Sequence, residues 1–362
     1  MQRYIRYFLP CILCGMLFFA CIRFVRLATI SAVRAFSCES WPSLKTVKKD
    51  ILRLCKVSVY GQSYLRGVDE FASRLVTNRP CARQVILGRE GWLFYNPDTD
   101  GDPLGDYRGE IRYDHGTLES CRQGLERIAK WLSERNILLY VMVLPNKENV
   151  YPEYMPFSIP RYSCVTRTDV LVDYLREKST IRVIYPKSEL LEAKQMCSVY
   201  YPSDTHWNYI GGYVGVHELM KEMGRAHKSL KDREVLKMDK GHEGDLIRLG
   251  NLKEYRVDDE LYVRGMPMSA RRSSKWNRFN ANENMRAKTG DSVFVYGDSF
   301  RMAMIPTLLE EFRWVYDDHR SNYENFLSTI KRTNPKVVVL EWVERYSGRM
   351  GDDISHMLGT VN

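Results

Sequence analysis

Asp204-Thr205-His206 places a carboxylate two residues from an imidazole, close enough for the acid to hold one ring nitrogen. Gly297-Asp298-Ser299-Phe300 follows the apolar run 293–296 and puts a hydroxyl where a buried strand turns into a helix. Together the two strings carry the parts of a Ser-His-Asp nucleophilic site: Ser299 to attack, His206 to take its proton, Asp204 to fix the tautomer and stabilise the imidazolium. A strand-to-helix turn also aims backbone N–H groups of the first helical turn at a developing oxyanion. Each string has a plainer use. Ser299 or Asp298 can simply cap a helix, and Asp204 can cap one beginning near Trp207, with His206 on the surface. Their joint occurrence favours the chemical reading.

The elements that must position these residues follow from hydrophobic periodicity. Leu118, Cys121, Leu125, Ile128, Ala129 and Leu132 recur at helical spacing and predict an amphipathic helix over 118–135. Residues 137–144 form an apolar strand whose continuity predicts burial on both faces, stopped by Pro145-Asn146-Lys147. Further helices are predicted over 168–178, 209–223, from Ser299 to about 312, and over 322–333, with strands over 181–185, 292–296 and 337–340. The stretch 88–95 reads as a tight turn entering a short aromatic strand, and 97–116, rich in Asp, Gly and Pro, as a surface loop. Strands alternating with helices predict an α/β fold with a mostly parallel sheet covered on both faces. Ligands then bind beyond the carboxyl ends of the strands, where Ser299 and Pro145-Asn146-Lys147 both fall.

The chain has 362 residues, 44% hydrophobic and 27% charged, which is ordinary for a globular protein. Its start differs. Arg3 and Arg6 precede the uncharged, mostly apolar stretch 7–22, and Arg23 and Arg26 follow it. That pattern predicts a signal anchor over 1–30, with a cleaved signal peptide as the rival and a lipoprotein reading at Ala20-Cys21 weakened by Phe18. Residues 31–80 read as a tether, 81–350 as one α/β domain and 351–362 as a tail. The nine cysteines fit an exported chain only loosely. Cys11, Cys14 and Cys21 sit in the apolar segment, while Cys38, Cys55, Cys81, Cys121, Cys164 and Cys197 leave an even number whose pairing the sequence does not choose. No cysteine–histidine spacing predicts a metal site, and no cofactor motif is present. Export argues against nucleic acid, while a net charge of +9 suits an anionic glycan or a membrane surface, with simple solubility as the plainer reading.

Tyr200-Tyr201-Pro202-Ser203-Asp204-Thr205-His206-Trp207-Asn208, with Gly211-Gly212 after it, resembles the signature of the alginate O-acetyltransferase (AlgX/AlgJ-like) family. Four looser pieces fall in that family's order: 88–95; Leu144-Pro145-Asn146-Lys147 with Tyr151-Pro152; Gly244-Asp245-Leu246 with Gly250; and Val295-Tyr296-Gly297-Asp298-Ser299. The resemblance spans about 81–346. It implies an SGNH-hydrolase-like three-layer fold in which the Asp-x-His pair precedes the serine, as it does here. It implies Asp204 as orienter, His206 as base and Ser299 as nucleophile in acetyl transfer to an exported polysaccharide. It also implies a membrane-bound O-acyltransferase as supplier of acetyl groups, and a place on the periplasmic or extracytoplasmic face, anchored to the inner membrane. A carbohydrate acetyl-esterase is the alternative within the same chemistry, and a non-catalytic polysaccharide-binding subunit the alternative outside it.

Asn146, Lys147, Trp207, Asn208, Arg271 and Trp276 are the expected substrate contacts. Asn146 is a candidate oxyanion donor, with a turn residue as the plainer reading. Arg271 and Trp276 belong to a basic, aromatic stretch before the nucleophile strand, where rings stack on sugars and guanidinium groups pair with carboxylates; a solvated loop is its plainer reading. Glu341, Glu344 and Arg345, after the last strand, are within reach of the site, with a structural ion pair as the favoured reading.

Overall fold

The computed structural model describes residues 84–97, 101–252, 255, 257–268, 271–273 and 280–359. The expected anchor and tether lie outside the described residues. One compact unit covers Ala82–Asn362. Among the described residues no helix is long and apolar enough to cross a membrane. Cys121, Cys164 and Cys197 carry free thiols.

A hairpin of β1 (Val85–Leu87) and β2 (Leu93–Tyr95) opens the unit, turning through a 3-10 helix at Arg89–Gly91. Where a surface loop is expected there is instead a buried helix, α1 (Pro103–Arg108). Asp102 caps it, accepting from the Gly105 amide, and Pro103 occupies the first turn; Asp-Pro signals a helix start as readily as a loop. Then come α2 (His115–Ser133), β3 (Leu138–Leu144), the single turn α3 (Lys147–Val150), α4 (Arg167–Lys178), β4 (Val183–Ile184), α5 (Lys187–Ala193) and α6 (Tyr209–Glu222). A small hairpin of β5 (Val235–Lys237) and β6 (Leu261–Val263) brackets α7 (Asp245–Leu249). The chain returns through β7 (Arg271–Ser273), β8 (Asn280–Glu283), β9 (Thr289–Gly297), α8 (Ile305–Glu311), β10 (Phe312–His319), α9 (Tyr323–Thr333), β11 (Val337–Val343) and α10 (Met350–Gly359).

The central sheet has the order β4-β3-β11-β9-β10-β8-β7. The first five strands are parallel, and β8 and β7 add an antiparallel edge. Alternate side chains explain the three layers. Tyr140, Met142, Val293, Val295 and Val339 face a core shared with α6 and α8, while Val141, Val143, Phe294, Tyr296 and Leu340 face one shared with α2, α4, α9 and α10.

Three expectations are corrected besides α1. The helix after Ser299 is a 3-10 turn, Ser299–Ala303, followed by α8, and Phe312 begins β10, a strand the sequence reading missed. Residues 271–273 form edge strand β7 rather than a loop. The expected tail at 351–362 contributes α10, whose Ile354 and Met357 are buried against α2.

Candidate active site

Strand β9 ends at Gly297, where a side chain would strike Glu341 on the neighbouring strand β11. Asp298 then leaves the strand in extended conformation, its Oδ1 accepting from the Phe300 amide at 3.0 Å and its Oδ2 from the Val343 amide at 2.7 Å. It thus caps the 3-10 turn and ties the ends of β9 and β11 together. That leaves Ser299 exposed on the turn. The Phe300 amide, one of the first-turn donors expected to face an oxyanion, is taken up by Asp298.

His206 comes from the segment before α6. Its Nε2 lies 2.6 Å from Ser299 Oγ and its Nδ1 2.6 Å from Asp204 Oδ1, so the three expected side chains form a continuous relay. Asp204 is buried and receives four donors: the amide and Nδ1 of His206 at Oδ1, and His242 Nε2 (2.8 Å) and the Asp245 amide (2.9 Å) at Oδ2. Burial alone would raise its pKa. The hydrogen bonds from His206 and His242 overcome burial and hold the carboxyl well below the usual range.

The Asp204 loop is supported from beneath. Lys147 is buried and its Nζ donates to the carbonyls of Tyr201 (3.1 Å), Pro202 (3.1 Å) and Asp204 (2.6 Å). Desolvation pushes this ammonium down to about 8, against the opposing pull of Asp204, Asp245 and Asp258. Asp245 accepts from the Thr205 amide and hydroxyl, and Asp258 from those of Ser203.

The residues expected to contact substrate occupy different places, and of Asn146 the Nδ2 is left without a hydrogen-bond partner among the described residues. Lys147 spends its donors on the loop. Trp207 is buried, its Nε1 donating to the Phe300 carbonyl at 2.8 Å. Asn208 caps α6, accepting from the Ile210 and Gly211 amides while its Nδ2 donates to Ser198. Asn146 is buried beside β11: its amide donates to Glu344 Oε2 and its Oδ1 accepts from the Arg345 amide. Arg271 stands level with Ser292 through the register Arg271–Glu283–Trp314–Ser292, three strands from β9 and away from the strand ends. Trp276 lies outside the described residues. The expected ion pair is replaced by separate roles. Glu344 accepts from Asn146, Asn149 and Tyr185, and the Arg345 guanidinium lies over the Phe300 and Tyr346 rings. Glu341 is buried beside Asp298, and burial followed by that charge raises it well above the usual carboxyl range.

Sequence reasoning missed His242 and Asp258. Both lie in the stretch between α6 and β6, which carries no periodic signal. Asp245 was visible as part of Gly244-Asp245-Leu246, but its contact with Thr205 was not. Asp204, His206 and Asp245 bring potential ligand atoms within 4.8 Å of one another. The 2.6 Å separation of Nδ1 and Oδ1 is that of a charge-assisted hydrogen bond, which places a proton rather than a metal between them.

Residues 85–300 match the family model described as an SGNH hydrolase-like domain, acetyltransferase AlgX. Among curated proteins, the chain is similar to the probable alginate O-acetylase AlgJ of Pseudomonas aeruginosa, 24% identical over 231 residues, 62% of this chain and 54% of that one. The corresponding protein of Pseudomonas putida is 21% identical over 295 residues, 72% of this chain and 70% of that one. The chain therefore spans about half the length of the first of these relatives. Among solved structures, Bacillus cereus PatB1 superposes with a TM-score of 0.54 at 16% identity, covering 74% of this chain and 98% of that one, a likeness of fold. With the parallel sheet, the Asp-x-His pair and the later Ser299 in place, the chain belongs to the AlgX family of SGNH hydrolase-like acetyltransferase domains.

Proposed function

We propose that this protein is an O-acetyltransferase that moves acetyl groups onto hydroxyls of an exported polysaccharide through an acetyl-serine at Ser299. The observation that carries the reading is the relay of two 2.6 Å contacts, Ser299 Oγ to His206 Nε2 and His206 Nδ1 to Asp204 Oδ1. Ser299 Oγ attacks the donor acetyl carbonyl while His206 Nε2 takes its proton, and that proton passes to the departing donor oxygen. A sugar hydroxyl then attacks the acetyl-serine carbonyl and gives its proton to Nε2. The bond to Ser299 breaks, and the proton returns to Oγ. Asp204 stabilises the imidazolium in both halves.

The polysaccharide acceptor is supported by the family and by the name alginate O-acetylase carried by the curated relatives. A net charge of +9 suits an anionic acceptor. A membrane-bound O-acyltransferase as acetyl supplier and an anchored, extracytoplasmic location complete the reading. They rest on the family resemblance and on residues 1–30.

The test is intact mass spectrometry of the chain with an activated acetyl ester, beside Ser299→Ala. An acetyl adduct absent from the variant, and discharged onto added anionic oligosaccharide faster than onto water, supports the transferase. Acetate release indifferent to oligosaccharide points to the esterase. No adduct and unchanged glycan binding in Ser299→Ala point to a binding subunit. PatB1 has been solved with a sulfonyl adduct, and a sulfonyl fluoride offers a second probe of Ser299.

A further inference from the structure

The Asp204 carboxylate is shared by two histidines, only one of which faces Ser299. His242 Nε2 lies 2.8 Å from Oδ2, on the side opposite His206. Its ring is fixed by three independent contacts. The backbones of His242 and Asp258 exchange both N–H···O bonds at 2.9 Å. Tyr201 stacks on the imidazole with centroids 3.9 Å apart and planes 17° from parallel. Glu260, which accepts from the Tyr201 hydroxyl, lies 3.7 Å from His242 Nδ1. Any flat ring would satisfy the stack. What an imidazole adds is the N–H aimed at Oδ2.

We propose that His242 is a positioning residue for the relay: with the Asp245 amide it occupies Oδ2, holds the Asp204 carboxylate against rotation and leaves Oδ1 for His206. The inference rests on the Ser299–His206–Asp204 reading. With Nε2 donating to Asp204, Nδ1 faces Glu260 and carries the second proton when the ring is charged. The charged groups around the ring are Asp204, Glu260 and Asp258, with Asp245 and His206 beyond the shared carboxylate. Burial would lower the ring's pKa, and the carboxylates outweigh it and raise it. A cation in this position repels a second proton on the relay.

The experiment compares His242→Ala and His242→Gln with the wild type as full chains, using Ser299-dependent cleavage of an activated acetyl ester across pH. Glutamine places its amide nitrogen where Nε2 stood but carries no charge. His242→Ala is expected to lose on the order of tenfold or more in kcat, the value of a hydrogen bond to a charged group. His242→Gln recovers most of that loss. In both variants the acidic limb of the profile moves to higher pH. The low-field proton resonance of the His206–Asp204 bond, read by NMR without substrate, moves in His242→Ala and returns in His242→Gln. An unchanged rate and limb in His242→Ala overturn the proposal. So does an unmoved resonance, or a His242→Gln as impaired as His242→Ala while thermal unfolding shows both folded. Failure of the underlying reading is separately visible, as ester cleavage that survives Ser299→Ala.

Discussion

The indole N–H of Trp207 donates to the carbonyl oxygen of Phe300 at 2.8 Å, joining the residue after His206 to the residue after Ser299. This one bond spans 93 positions of sequence and ties the segment carrying His206 to the turn carrying Ser299. In Trp207→Phe the ring stays and the donor goes, leaving the buried Phe300 carbonyl unpaired at a cost of about 1–3 kcal/mol. Acetyl-ester cleavage is expected to fall about tenfold with KM little changed, as measured by steady-state kinetics. Trp207→Ala adds a cavity, and its midpoint in denaturant should drop by the equivalent of about 3–5 kcal/mol.

Gly212, on α6, faces the turn that carries Ser299. A Cβ at this position would land against the backbone carbonyl of Ala303, so the helix backbone lies close against the turn. Gly212→Ala must push α6 away from the turn and carry His206 with it. Cleavage should fall more steeply than stability, since a shift of about 1 Å can cost on the order of a hundredfold in rate. Comparing kcat/KM with urea unfolding of the same variant checks this.

Lys147 is the floor beneath the Asp204 loop. Lys147→Met keeps the length of the side chain and removes the donors from three carbonyls. We expect a loss of about 1–3 kcal/mol in urea unfolding and a lowered rate, with hydrogen exchange rising in residues 201–206. Acceleration confined to the protein as a whole, with no local rise at that loop, would contradict the role.

Glu148 gives the stability a pH dependence. Burial, then the nearby Glu344 charge, raises its pKa from 4.5 to about 8. Between those values the folded protein holds a proton the unfolded chain has released, so this contribution is full below about pH 4.5 and is lost as pH rises through about 8. Glu148→Gln cannot release that proton. The stability of the variant minus that of the wild type should therefore rise with pH across this window, by at most about 1.4 kcal/mol per pH unit. Urea unfolding at pH 5 and pH 7.5 measures it, and a flat difference would refute it.

The parts legible in the sequence were those with local signatures. Strands β3, β9 and β11 announce themselves as apolar runs, and Asp204, His206 and Ser299 by spacing and by their place beside such runs. Strand β10 did not, because it buries Asp317 and Asp318. Asp317 is satisfied by Arg301, Asn280 and Asn282, all 16 or more positions away, and Asp318 by Asn322 and Asn325 from the turn and helix that follow, so neither carboxylate finds its partner within the strand. Helix α1 hid for a similar reason: its Asp106 is buried against Arg167, 61 positions away. The inward partners of Lys147, Trp207 and Asn208 were not legible, because residues beside a reacting group need not face the substrate. Their polar atoms point inward and hold the neighbours that do.

Strand β9 lies between β10 and β11, both of which come after it in the chain, and the seat of Asp298 depends on the amide of Val343 in the later of the two. A polypeptide halted between Ser299 and β11 would already contain Asp204, His206 and Ser299, yet Asp298 would lack the Val343 amide that holds its Oδ2. Setting the nucleophile's turn is thus coupled, through that one amide, to the docking of a strand made later in the chain.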